Sequence, residues 1–385
     1  MTLRAKIEAE TKERGPIPFS RYMELCLYDP ELGYYSRPAE KFGRAGDFYT
    51  SSDVHAVFGR LLARQLEEMW RVLDSPEQIE VLELGPGRGL FARDVLDWSE
   101  KEFPDFFRSV RYTLVERSPA LRQTLKARLS QHLSSGRASI ADTDTFGRSV
   151  RALSTEVPIV VVTNEFFDAL PVEVLSAEGS LRIDVEDGRF VEKWVPASAA
   201  ELDFLDRYGV HPERGERTEI CFQALTQMEA LAEVVHRGFL ILVDYGYTRE
   251  EQLAGRHLGT VMTYRQHTAS SNPYQAPGEQ DITAHVNFTA LAAVAEQHGV
   301  QTYSLLTQSQ FLMGIGEENQ FADAFEECRL PQERAKVALQ LKHLVTPAGM
   351  GETFQVLVAS KGVDTALTGQ LRGLSFGKSR ILSGR

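Results

Sequence analysis

Apolar residues gather in compact blocks along this chain: IEVLEL at 79–84, RYTLVE at 111–116, VPIVVVTN at 157–164 and GFLILVD at 238–244. Later blocks stand at 301–307 (QTYSLLT) and 354–360 (FQVLVAS). Such runs suit strands buried on both faces, because alternation is lost when neither face meets water. Other stretches repeat apolar residues every three or four positions, which predicts helices over 90–103, 118–133, 221–236, 287–298 and 331–344. Asn287 is a candidate cap and Gly299 a candidate stop for the fourth of these. Strands alternating with helices predict an α/β fold with a mainly parallel sheet flanked by helices.

This core is expected over 78–361. Residues 1–77 form an N-terminal helical extension, with helices at roughly 18–28 and 54–73 joined by the Gly- and aromatic-rich LGYYSRPAEKFGRAGDFYTSSD. Two inserts interrupt the core, at about 171–235 and 247–286. The first contains VEVLSAEGSLRIDVEDGRFVEKWV, which alternates at period two around Asp187-Gly188, a hairpin signal. The second holds a long, polar, turn-rich loop at 264–285, expected to fold over a pocket. The basic segment 362–385 is expected to be a mobile tail.

Composition narrows the function. The 385 residues are 43% hydrophobic and 25% charged, as in ordinary globular proteins. The net charge of −12 argues against a nucleic-acid partner and favours a cationic one. No apolar run is long enough to span a membrane, so no insertion is expected. The N-terminal MTLRAKIEAETKERG reads as neither a secretory signal nor a transit peptide, and the expected location is the cytoplasm. Cys26, Cys221 and Cys328 lie far apart, and no metal-ligand spacing is present.

The chemistry begins at ELGPGRG, residues 83–89, where the first core strand turns into a helix. A P-loop would need Lys-Ser/Thr after the glycines, and a dinucleotide fingerprint would need its third glycine at position 90, which is Leu90. The pattern Glu83-x-Gly85-x-Gly87-x-Gly89 resembles the first motif of class I S-adenosylmethionine methyltransferases, a Rossmann-like fold. Glycines let the backbone approach a ligand at positive φ. Glu83 is expected to favour the cofactor's ammonium group, and Glu116, closing the second strand, to bind the ribose hydroxyls. Asp142, or its neighbour Asp144, would lie near the adenine, with Asn164 at the end of the fourth strand.

The run NEFFDALP follows that fourth strand, at the edge where open α/β sheets bind ligands. Adenine and glutamine N-methyltransferases carry Asn-Pro-Pro-Tyr/Phe there. This chain keeps Asn164 and replaces a proline with Glu165. Glu165 and Asp168 can pair with a guanidinium, whose planar fork accepts bidentate carboxylates. In the 264–285 loop, beside Tyr264, Arg265, Glu279 and Gln280, candidates to remove the proton released by methylation are His267, Asp281 and His285. Asn272-Pro273-Tyr274, after no strand, reads as a turn.

Taken together, GDFYTSSDVHAVFGRL, ELGPGRG, NEFFDALPVEV, VDYGY and GEQDITAHVNF are similar to motifs of the MidA-type, or complex I assembly factor 7, family, from about Pro18 to Lys361. The resemblance implies a class I methyltransferase fold, S-adenosylmethionine as methyl donor, and arginine on a protein, a respiratory complex subunit, as acceptor. It also implies that the loop bearing Arg44, Gly46, Asp47, Phe48, Thr50, Ser51 and Ser52 covers the cofactor. The competing readings are a small-molecule or glutamine/adenine N-methyltransferase and a non-catalytic assembly chaperone that retains the cofactor site. Oligomeric state is open, a homodimer included.

Overall fold

A computed structural model describes residues 1–36, 56–142, 156–266 and 268–377. The chain divides into two compact units. One comprises Met1–Phe48, Phe167–Met228 and Tyr245–Val294, and the other Tyr49–Phe166, Glu229–Asp244 and Ala295–Arg385. The N-terminal helices Leu3–Arg14 and Phe19–Tyr28 thus fold with the inserts, whereas helix Val57–Val72 folds with the core. Among the described residues, no helix is long and apolar enough to cross a membrane.

The core unit is built on strands β1 (Ile79–Leu84), β2 (Val110–Val115), β3 (Ala138–Ala141), β4 (Ile159–Asn164), β5 (Gly238–Tyr247) and β6 (Phe354–Lys361). Their order across the sheet is β3-β2-β1-β4-β5-β6. The pairs β3–β2, β2–β1, β1–β4 and β4–β5 are all parallel. Every residue of β1 is buried, Glu80 and Glu83 included. The order reverses direction between β1 and β4, and that switch point opens a crevice at the carboxyl ends of the two strands.

Several expected elements are refined. The block 301–307 is broken into Gln301–Thr302 and Leu306–Thr307, both antiparallel to β6. Between the pairs Thr302↔Ala359 and Leu306↔Val356 the first chain takes four steps to its partner's three, a β-bulge. The helix expected over 118–133 is divided at Leu129, between Pro119–Arg128 and Ser130–Ser134, where the Leu129 side chain is fully buried. The expected cap is in place: Asn287 Oδ1 accepts the Ala290 N–H at 3.0 Å. Residues 365–377, expected as a loose tail, are folded. Asp364 caps helix Thr365–Thr368, Leu371 and Leu374 are buried, and the Gly373 N–H donates to Gln65 Oε1 at 2.9 Å.

In the other unit the hairpin forms as its turn requires. Strands Gly179–Glu186 and Arg189–Val195 are joined by Asp187 at φ 47° and Gly188 at φ 71°, the two positive angles of a type I′ turn. Ile17 of the N-terminal segment pairs with Ile183 of this hairpin, and Phe19, Tyr22, Met23 and Ile7 share one apolar core with Val174, Leu181 and Ile183. The 264–285 segment, expected as a loop, contributes to a small sheet of strands Met262–Arg265, Thr268–Ser270 and Asp281–Thr283. Strands of three and four residues are too short to display a period. Asn272-Pro273-Tyr274 is an Asx turn, with Asn272 Oδ1 accepting the Tyr274 N–H at 3.0 Å.

Candidate active site

The glycine turn lies at the carboxyl end of β1, beside the switch point. Gly85, Gly87 and Gly89 have φ of 66°, 52° and 72°, all left-handed. An L-residue pays about 1–2 kcal/mol to adopt that region. Space is equally restrictive: a Cβ on Gly85 would stand 2.9 Å from Phe166 Cδ2, and one on Gly89 2.5 Å from Leu125 Cδ2. The turn is therefore closed from behind by side chains, leaving bare backbone facing outward.

Two buried carboxyl groups stand beside it. Glu116, one residue past β2, is 7% exposed, and its Oε1 accepts the Ser118 N–H at 2.8 Å. Burial pushes its carboxyl up to about 7, against the lowering effect of N–H groups from Ser118, Gly87 and Arg117. It is half ionised at neutral pH and joined through Gly87 to the glycine turn, a position suited to a pair of ribose hydroxyls. Glu83 differs. Burial pushes its carboxyl up to about 8; the Tyr112 hydroxyl, donating to Oε2 at 2.9 Å, opposes the shift, and neighbouring Glu116 adds to it. Burial thus favours the neutral form of Glu83 until a cation, such as the ammonium group expected beside it, offsets the desolvation. Asp142 follows directly on β3 and is half-buried.

The end of β4 carries a local distortion of its own. Glu165 has φ 53°, left-handed in a residue with a full side chain. Its N–H donates to Val243 O at 3.0 Å, and the next N–H, of Phe166, donates to Asp244 Oδ2 at 3.2 Å. Fully buried Asp244 therefore holds the turn, a role that VDYGY does not disclose as a strand end or as a family-like motif. Asn164 Nδ2 donates to Glu165 Oε1 at 3.2 Å, while its own Oδ1 is buried without a protein partner. Strain concentrated at one residue of a ligand-binding edge is a recognised mark of function. The glycine cradle, Glu116 and the orphaned Asn164 oxygen fit a ligand with ribose hydroxyls and hydrogen-bond donors.

The remaining candidates belong to the other unit. Asp168 and Asp281 are 4% and 2% exposed, and both bear on Tyr35. The Tyr35 hydroxyl donates to Asp281 Oδ1 at 2.9 Å. Burial first, and then Asp281, Tyr28 and Asp168, hold the Tyr35 phenol well above its ordinary value, so it stays a donor. The Asp168 carbonyl accepts the Ala284 N–H at 2.9 Å. His285 is set apart from this group. Its ring stacks on Tyr245 and its Nδ1 faces Arg256 Nε at 3.4 Å. Burial, with Arg256, pulls its pKa down to about 4, so the expected role as proton acceptor is not supported. Arg265 pairs with Glu279, and Gln280 ties down the Asx turn through Asn272 O and Pro273 O. Gly46, Asp47, Thr50 and Ser52 of the expected lid, and His267, lie outside the described residues.

A sheet with this strand order, a glycine turn after β1 and an acid after β2 is shared by dinucleotide-binding and methyltransferase folds. The chain belongs to the family of S-adenosyl-L-methionine-dependent methyltransferases, whose family model matches residues 61–306. It is similar to a Drosophila melanogaster protein named "Protein arginine methyltransferase NDUFAF7 homolog, mitochondrial", at 29% identity over 94% of this chain and 85% of that one. The human protein named "Protein arginine methyltransferase NDUFAF7, mitochondrial" is 26% identical over 89% of this chain and 80% of that one. Among solved structures, a Burkholderia thailandensis protein with S-adenosyl-homocysteine bound superposes with a TM-score of 0.80 at 29% identity, covering 97% of this chain and 94% of that one. S-adenosylmethionine is accordingly the methyl donor.

Proposed function

We propose that this methyltransferase acts on arginine in a protein, a respiratory complex subunit met during assembly. The observation that carries this is Glu165: a carboxylate held in a left-handed turn at the switch point, with the next residue's ring against Gly85. A cationic acceptor is what such a group attracts. The relatives' names supply the arginine, and the family resemblance supplies the complex. When bound, the donor supplies a methyl group already activated by its sulfonium.

The chain's own residues have three tasks. The glycine turn and Glu116 fix the donor. Glu165 orients the guanidinium fork so that one nitrogen faces the methyl group, since alignment is the larger part of such a transfer. Glu165 also receives the proton that the guanidinium sheds on transfer. The test is quantitative mass spectrometry of methylarginine in cells with and without the gene. One or more protein arginines are expected to lose methylation on deletion and to regain it with the wild-type gene but not with Glu165→Gln. An unchanged arginine methylome would remove the arginine reading.

A further inference from the structure

Three neighbouring strands are linked by one chain of contacts at the carboxyl edge of the core sheet. It starts on β5 at Asp244, which is fully buried. Asp244 Oδ2 accepts the Phe166 N–H at 3.2 Å, just past the end of β4. The Phe166 ring in turn lies over Gly85, which follows β1, with its Cδ2 2.9 Å from where a Cβ on that glycine would stand. All of these residues belong to the core unit.

A carboxyl group taken wholly out of water is costly unless it is hydrogen-bonded. The φ of 53° at Glu165 gives this one something to hold. A residue with a side chain stays in the left-handed region only where its surroundings over-determine it. Here two consecutive N–H groups are anchored on β5: that of Glu165 on the Val243 carbonyl at 3.0 Å, and that of Phe166 on Asp244. The first bond joins main chain to main chain, so side-chain substitutions leave both its partners in place. The second depends on the side chain at 244.

We infer that Asp244 is a positioning residue for methyl transfer: through the Phe166 N–H it holds the strained turn that carries Glu165, and through the Phe166 ring it sets the seat of the donor at Gly85. The donor half of this role stands on the S-adenosylmethionine site alone, and the acceptor half rests on the role proposed above for Glu165.

The test uses the full chain, calorimetry with S-adenosylhomocysteine, and transfer of tritiated methyl from S-adenosylmethionine into lysate of a strain lacking the gene. Asp244→Leu keeps the bulk and removes the acceptor oxygen. Affinity per folded molecule is expected to fall about tenfold, the weight of one buried N–H left without a partner. Transfer at saturating donor should fall by about tenfold as well, through misalignment of Glu165. Asp244→Asn, which still offers an oxygen to the Phe166 N–H, should recover most of both, to within about threefold of wild type. Phe166→Ala should weaken donor binding, and adding Asp244→Leu should weaken it no further, because the acid reaches the donor through that ring. A role in stability alone would lower the unfolding midpoint and leave the affinity of the folded protein unchanged. Wild-type affinity in Asp244→Leu, equal losses in Asp244→Asn and Asp244→Leu, or multiplying losses in the double variant would each overturn the role. If Asp244→Leu fails to fold, Asp244→Ser, whose oxygen is one bond shorter of its target, takes its place. Hydrogen exchange of the wild-type protein needs no variant: the Phe166 amide should exchange slowly, and fast exchange would overturn the bond itself. Weaker donor binding with an unchanged rate at saturating donor would remove the acceptor half and count against Glu165, while the donor half stands.

Discussion

The edge of β1 and β4 and the cluster around Tyr35 are both dense in polar groups, yet they are assembled differently. The first is a backbone device. Gly85, Gly87 and Gly89 lie within five residues of one another and do their work through φ angles of 52–72°. The second is a side-chain device whose members come from far apart: the Tyr35–Asp281 bond spans 246 positions. A donor shared by a whole enzyme class suits a site made of main chain, which few substitutions can redesign. Side chains brought together from distant segments can be altered one at a time.

This contrast can be broken most directly at Glu165. Glu165→Gln should lower transfer by about 100-fold or more while S-adenosylhomocysteine affinity stays within about twofold, because an oriented charge is lost and the donor cradle is not. Equal losses in rate and in calorimetric affinity would move Glu165 to the donor side. Glu165→Gly should be equally inactive but more stable than Glu165→Ala by about 1 kcal/mol in denaturant unfolding, since glycine relieves the left-handed strain.

The next effect belongs to Glu116. Its carboxyl sits near 7 in the free protein, and ribose binding uses the ionised form. Donor affinity should therefore rise about tenfold between pH 6 and pH 8. Glu116→Gln should bind the donor at least about tenfold more weakly and flatten that profile; titration calorimetry at three pH values reads both.

Glu83 sharpens the comparison through stability instead. Its folded pKa of about 8 lies above its ordinary 4.5, so stability is full below about 4.5 and is lost as pH rises through 8. Glu83→Gln should remove that loss, making the variant relatively more stable at pH 9 than at pH 5 by an amount on the order of a few kcal/mol, read from urea midpoints. The smallest effect is expected at His285. With its pKa near 4 and Arg256 at its Nδ1, His285→Gln should leave the transfer rate within about threefold from pH 6 to 9.

What could be read from the sequence follows the same division. β4 and β5 were legible because strands buried on both faces leave a long apolar mark. The glycine turn and Glu116 were legible because contiguous motifs carry their own geometry. Helix Leu3–Arg14 was not, because its apolar residues are few and only Leu3, Ile7 and Thr11 are buried. The short strands of 262–283 were hidden by their length. At the site, Asp168 and Asp281 were found as acids in suggestive segments, but Tyr35 and Asp244 were not singled out, since nothing local in GYYS or VDYG says which distant group each will hold. At His285 and Glu83 the sequence gives the residue type but not the burial that lowers the basicity of one and raises the pKa of the other.

The ring of Phe166 fills the volume into which a side chain at position 85 would grow. The bend at 85 and the turn at 165–166 are consequently a single mechanical part. A smaller side chain at 166 would take away the support on which that bend rests, so the two can be altered only together.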